Sequence, residues 1–260
     1  MLLPRILTAI VGIPLLLYLV HHGGVAFALF VTGISALCCY EYAMMLRLGG
    51  RPVHSVLTVL VGAGLAACAA FGGPLGLVLT GGIFLVAVVE TFSREHSMDR
   101  AALTLFGALF AGWMPAHLAL IRDMRPHGEA FVIMVFVTVW IMDTSAYAAG
   151  HAMGRHLLAP VLSPKKTWEG AVAGFLAAVA VCLLFQRFVF KDALAPLIAA
   201  AIGALIGVTG QVSDLAKSIV KRDVGVKDSG TLLPGHGGVF DRFDSYFLCA
   251  PAVYYFLSFR

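Results

Sequence analysis

The feature that most constrains this chain is a succession of long apolar runs parted by short polar breaks, with very little charge inside the runs. A helix needs about 20 apolar residues to cross a hydrocarbon core, and nearly every run approaches that length. The runs lie near residues 4–21, 24–45, 54–71, 74–92, 102–121, 130–149, 170–190, 194–213 and 245–259, the last being short and interrupted by Pro251. Only 12% of the residues are charged, against about 25% in a soluble domain. Eighteen basic and fourteen acidic side chains are too few to clothe a soluble surface at this length. The mean hydropathy of +0.92 carries the same message over the whole chain. The expected fold class is therefore an all-α, polytopic integral membrane protein with about nine transmembrane helices, its natural partner being the lipid bilayer.

Other classes are disfavoured by what the chain lacks. A net charge of +4, with its basic residues in loops, does not suggest a nucleic-acid partner. Cys38, Cys39, Cys68, Cys182 and Cys249 all lie in apolar runs and form no Cys-x-x-Cys pair, so disulfide and zinc frameworks are not expected. The N-terminal run, with Arg5 ahead of it, has the flavour of a signal peptide but no small-residue cleavage pattern. It reads as the first transmembrane helix. One membrane domain over 1–260 is expected, with hydrophobic N-terminal helices over 1–125 and the chemistry-bearing half over 126–260.

Loop charge assigns an orientation. In the nine-span arrangement, thirteen of the 18 basic residues fall on the side that holds the N-terminus. The positive-inside rule makes that side cytoplasmic. The two long connections, 150–169 and about 214–244, then face the cytoplasm. Glu41, Glu90, Asp143 and Asp214 stand near the same ends of their helices, although insertion scales put a mid-membrane Asp at roughly 2.5–3.5 kcal/mol. Together they suggest a polar cavity open to the cytoplasm. Glu41 and Glu90 each have the plainer reading of a snorkelling or loop-paired carboxylate, and Asp143 that of an internal helix–helix hydrogen bond.

Polar density rises sharply in two places. After the eighth run, a continuing helix would align Asp214, Ser218 and Lys221 on one face, at i, i+4 and i+7. Lys227-Asp228-Ser229-Gly230 follows, then Pro234-Gly235-His236-Gly237-Gly238, whose glycines free the backbone to approach a phosphate. Asp241, Arg242 and Asp244 close the segment. Upstream, Asp143 and Tyr147 share a helix face, and the loop beyond reads Ser163-Pro164-Lys165-Lys166-Thr167-Trp168-Glu169-Gly170. Lys165 and Lys166 are either membrane anchors or polyphosphate contacts, and Thr167 is also a candidate N-cap. Carboxylates of this kind suit Mg²⁺, and the cations suit charge spreading over a phosphoryl transition state. The Gly-x4-Gly-Lys-Ser/Thr, His-Glu-x-x-His and Gly-x-Ser-x-Gly patterns are absent, so P-loop, zincin and serine-hydrolase chemistry finds no support.

From Ser218 to Asp244 the chain reads SIVKRDVGVKDSGTLLPGHGGVFDRFD. This resembles the full signature of the phosphatidate cytidylyltransferase (CDP-diacylglycerol synthase) family, with each specified position filled over the 27 residues. The Asp143–Tyr147 and Ser163–Gly170 segments are similar to that family's upstream motifs. The resemblance implies an Mg²⁺-dependent reaction of CTP with phosphatidate, giving CDP-diacylglycerol and pyrophosphate. It implies Asp214 and Asp241 as metal ligands, with a second, monovalent cation such as K⁺ nearby. Lys221, Arg222, Lys227, His236 and Arg242 would bind phosphate or shape the site, alongside Asp228 and Asp244. Ser163, Lys165, Lys166 and Thr167 would hold the nucleotide, and Asp143, Tyr147, Ser218, Gly237 and Gly238 would line the substrate region. The family also implies a homodimer. Two residues depart from its pattern: His151 stands where Arg is common, and Lys217 stands where an acid is expected. Other CTP-dependent lipid enzymes, such as a CDP-archaeol synthase or a polyprenol kinase, are the neighbouring alternatives, and a proton- or cation-relaying transporter is the distant one. A CDP-alcohol phosphotransferase is set aside because its Asp-Gly-x2-Ala-Arg pattern is missing.

Overall fold

The computed structural model describes residues 3–226, 228–230 and 237–259, with side chains described from Ile10 onward. The helices are α1 (Leu3–His22), α2 (Gly24–Leu48), α3 (Ser55–Ala70), α4 (Leu75–Thr91), α5 (Met98–Gly107), α6 (Met114–Asp123), α7 (Gly128–Met153), α8 (Trp168–Phe185), α9 (Pro196–Asp223) and α10 (Phe240–Ser258). A π-helical turn, Ala108–Trp113, joins α5 and α6 into one rod, so nine helical rods run through the described residues. Five are long and apolar enough to cross a membrane: Gly24–Leu48, Met98–Asp123, Gly128–Met153, Trp168–Ala193 and Pro196–Asp223. Ser55–Ala70 and Leu75–Thr91 are apolar but shorter.

Two local expectations need correcting. The 150–169 connection is not an unstructured loop. Its first residues complete α7, and β1 (Leu157–Ala159) pairs antiparallel with β2 (Ser163–Thr167), Leu157 facing Thr167 and Ala159 facing Ser163. The described residues are thus helical with one small hairpin. The eighth helix also continues past 213 to Asp223, because no Gly or Pro interrupts Ser213–Asp223. It stops at Gly225, whose φ of +69° supplies the left-handed turn. There Val226 N–H reaches the carbonyl of Lys221 at 3.0 Å.

The chain divides into two compact units. The first comprises residues up to Leu120 together with Val220–Phe243. Its core packs α2 against α3 and the α5 rod, with Phe27, Tyr42, Met45, Leu46, Leu65 and Phe240 buried. Tyr42 donates its hydroxyl to the carbonyl of Leu103 at 3.0 Å, and its ring lies 6.4 Å from that of Phe240. A Cβ on Gly112 would come within 2.4 Å of the Gly62 Cα, so these two helices meet backbone to backbone. That is the small-residue contact by which membrane helices pack.

The second unit comprises Ile121–Ile219 and Asp244–Arg260. Here α7 lies along α8, and a Cβ on Gly203 of α9 would sit 2.6 Å from the Val179 Cα. Phe136, Met142 and Phe247 are buried, and the Phe136 and Tyr246 rings are 4.9 Å apart. In both units large apolar side chains also point outward, among them Leu29, Leu60, Phe84, Leu176 and Phe188. Such surfaces belong in lipid rather than water.

Candidate active site

One group of polar residues in the first unit lies where α10 begins. Asp241 occupies the first turn of α10. Its Oδ1 accepts from Lys221 Nζ at 2.7 Å, and its Oδ2 accepts from the Ser229 N–H at 2.8 Å. The pair is shielded, with side-chain exposures of 14% for Lys221 and 7% for Asp241. Such charge-assisted bonds are the stronger kind. The last turn of α9, the 228–230 segment and the start of α10 are therefore tied at one carboxylate.

A second carboxylate fastens the same segment from far away in sequence. Glu41 of α2 is buried. Its Oε2 accepts from Ser229 Oγ and from the Phe240 N–H, both at 2.9 Å, and its Oε1 accepts from the Val239 N–H at 3.0 Å. The first N–H groups of a helix have no partner within it, and the helix dipole favours an anion there. Glu41 thus caps α10. Gly238 is required by this contact: a Cβ there would lie 2.0 Å from Ser229 Oγ and 2.2 Å from Glu41 Oε2. Gly237 has φ of +81°, a conformation that favours glycine. Asp228, Arg222 and Arg242 are exposed. Lys227 and His236 lie outside the described residues, as do Pro234 and Gly235.

The second unit holds its own charged network. Lys217 Nζ pairs with Asp214 Oδ1 at 2.7 Å, one turn away on α9, and with Asp244 Oδ2. Asp214 Oδ2 also pairs with Lys166 Nζ, which β2 presents from the hairpin. Asp244 Oδ1 accepts from the Ser245 N–H at 2.6 Å, while the Asp244 carbonyl accepts from Ser213 Oγ. Asp143 is exposed on α7, within electrostatic reach of Asp214, Asp244, Lys166 and Lys217. Successive strand residues point to opposite faces, and Lys165 is exposed where Lys166 is half-buried.

The other expected residues are placed as follows. Thr167 caps α8, its Oγ1 accepting from the Gly170 N–H at 3.2 Å. Ser163 opens β2 opposite Ala159. Ser218 shares the Asp214 face of α9, and its hydroxyl donates to the Asp214 carbonyl at 2.9 Å, the local bond typical of a helix serine. Tyr147 is exposed and its ring stacks on His151 at 6.1 Å. Glu169 pairs with His156 Nδ1 at 2.6 Å and so braces the base of the hairpin.

The residue that reading by motif left out of the site is Glu41, which stood as one of four carboxylates suggesting a polar cavity, with snorkelling or pairing to a loop residue as its plainer reading. A usable signal was present: a carboxylate inside an apolar run needs a partner. In the fold that partner is the helix start after the glycines. Glu90 does take basic partners, Arg100 Nη2 at 2.6 Å and His54 Nε2 at 2.9 Å.

Comparison with known proteins adds to this geometry. A model of the cytidylyltransferase family matches residues 3–260. A phosphatidate cytidylyltransferase of Brucella abortus biovar 1 (strain 9-941) is 36% identical over 265 residues, covering 97% of this chain and 92% of the relative. One of Bacillus subtilis (strain 168) is 29% identical over 261 residues, covering 98% and 97%. One of Staphylococcus saprophyticus is 40% identical over 170 residues, covering 65% and 63%. Together with the helical membrane fold and the Ser218–Asp244 signature, the match over nearly the whole chain means that it belongs to the cytidylyltransferase family.

Proposed function

We propose that this chain makes CDP-diacylglycerol and pyrophosphate from CTP and phosphatidate, in the membrane and on its cytoplasmic face. The observation that carries the reading is the signature from Ser218 to Asp244. Its described part is bound together by the Lys221–Asp241 pair and the Asp241–Ser229 contact, and whole-length relatives bear the name of that activity. The orientation rests on the loop-charge asymmetry, and a homodimer follows from the resemblance.

The phosphatidate phosphate already carries negative charge at neutral pH, so its oxygen needs no strong general base. That oxygen forms a bond to the α-phosphorus of CTP as the bond from this phosphorus to the bridging β-phosphate oxygen breaks, and pyrophosphate leaves. Catalysis then consists of positioning and charge neutralisation. Lys221, Arg222, Lys227, His236 and Arg242 supply the cationic and hydrogen-bonding side chains for the phosphates. Glu41 and the Asp241–Ser229 contact hold Ser229 and the start of α10. Ser163, Lys165, Lys166 and Thr167 on the hairpin contact the nucleotide, with Asp143, Tyr147, Ser218, Gly237 and Gly238 lining the substrate region, and Asp228 and Asp244 adding acidic partners.

As Mg²⁺ ligands we propose Asp214 and Asp241. No three His, Cys, Asp or Glu among the described residues are grouped to hold a metal. Mg²⁺ commonly takes only one or two carboxylates and completes its shell with water and substrate phosphate, so hard aspartate oxygens fit it. When bound, the ion would neutralise charge on the reacting phosphates. A monovalent cation such as K⁺ belongs to the same expectation.

The test is CTP consumption by the purified protein in detergent with Mg²⁺ and phosphatidate, following pyrophosphate and CDP-diacylglycerol. Phosphatidate is expected to outperform an isoprenoid ether phosphate and a free alcohol. No pyrophosphate release with any of these lipids would overturn the proposal.

A further inference from the structure

We propose that Lys217 is a built-in cation: its ammonium fills the place between Asp214 and Asp244 that a bound inorganic ion would otherwise take, and so positions both carboxylates. Lys217 reaches Asp214 at 2.7 Å on its own helix and Asp244 on α10. It lies among poorly solvated groups, with side-chain exposures of 12% for Lys217 and 11% for Asp244. Two carboxylates this close to one point repel each other unless a positive charge stands between them. Asp143 adds a further carboxyl within electrostatic reach, while Lys166 is engaged with Asp214 from the hairpin. Removing one member of such a group leaves an uncompensated charge.

The residue type at 217 therefore determines what the cluster binds. An ammonium tethered there balances the carboxylates by ion pairing and needs no inorganic ion. A neutral side chain would leave the Asp214–Asp244 pair open, and an acid would add one more oxygen donor to it. Oxygen-only sites strengthen with the charge of their ligands. This inference concerns the charge balance of the cluster and goes beyond the proposed reaction.

The experiment counts ions. Wild type, Lys217→Gln and Lys217→Glu are purified in detergent without substrates and titrated with Mn²⁺, the free ion being followed by electron paramagnetic resonance. Each variant is expected to bind one more Mn²⁺ per chain than wild type. Lys217→Glu should bind it about tenfold more tightly than Lys217→Gln, and Lys217→Glu/Asp244→Asn should lose the extra ion. If Lys217→Glu does not purify as a folded protein, the count for Lys217→Gln decides. Equal counts in wild type and variants would overturn the proposal. A wild type that binds none while the variants bind one supports the role of Lys217 and counts instead against Asp214 and Asp241 as Mg²⁺ ligands.

Discussion

The carboxylate of Glu41 accepts the backbone N–H of Phe240 at 2.9 Å, across 199 positions of sequence. A helix of the N-terminal half thereby supplies the cap for the helix that carries Asp241. The same carboxylate takes Ser229 Oγ and the Val239 N–H, so one side chain fixes three points of the signature segment.

Glu41→Ala should leave these donors without a partner, at a cost of about 1–3 kcal/mol for each buried group that finds no replacement. The expected result is a protein that still inserts but has a lowered unfolding temperature and at least about tenfold lower turnover. Glu41→Gln should fall between it and wild type, because one amide oxygen still accepts. Thermal unfolding in detergent and the cytidylyl-transfer assay check both.

Asp241→Asn keeps the shape at the start of α10 but loses the charge that pairs with Lys221. Turnover should drop by about 100-fold or more, the scale seen when an electrostatic element of an active site is removed. Membrane insertion should be unchanged. Full activity in this variant would remove Asp241 from the site.

Gly238→Ala places a methyl group where Ser229 Oγ and Glu41 Oε2 already lie, 2.0 and 2.2 Å away. Overpacking of this kind costs about 1–3 kcal/mol. The expected readout is a lower unfolding temperature with turnover reduced in parallel. Combining it with Ser229→Ala, which removes one of the clashing atoms, should recover part of the stability.

Thr167→Ala deletes the cap of α8, since Thr167 Oγ1 holds the Gly170 N–H. A loss of about 1 kcal/mol is expected, and Thr167→Ser should restore it. Activity in the Ala variant should fall more than stability alone explains if the hairpin also contacts the nucleotide, and CTP titration measures that.

Orientation can be read by labelling. The native cysteines are all buried, which keeps the background low. Single cysteines at Arg51 and Lys165, both exposed, should react with an impermeant maleimide only after the cytoplasmic face is opened. Labelling of the two from opposite sides would overturn the shared cytoplasmic face.

The sequence by itself determined the membrane class, the run of helices and the family, because apolar length, charge scarcity and a contiguous signature are local properties. It also located Thr167 as a cap and placed Asp214, Ser218 and Lys221 along one helix, since helical periodicity needs no tertiary partner. Only the tertiary structure decided what those side chains meet. The charge of Lys217 broke a pattern, but that it stands between Asp214 and Asp244 depends on how α9 and α10 pack. The 150–169 connection hid a hairpin because a three- and a five-residue strand carry too short a period to declare themselves. Glu41 was visible as a carboxylate in an apolar run that needed a partner. Which partner it took was set by burial between helices and by the unpaired N–H groups of a distant helix start, and no spacing along the chain encodes that.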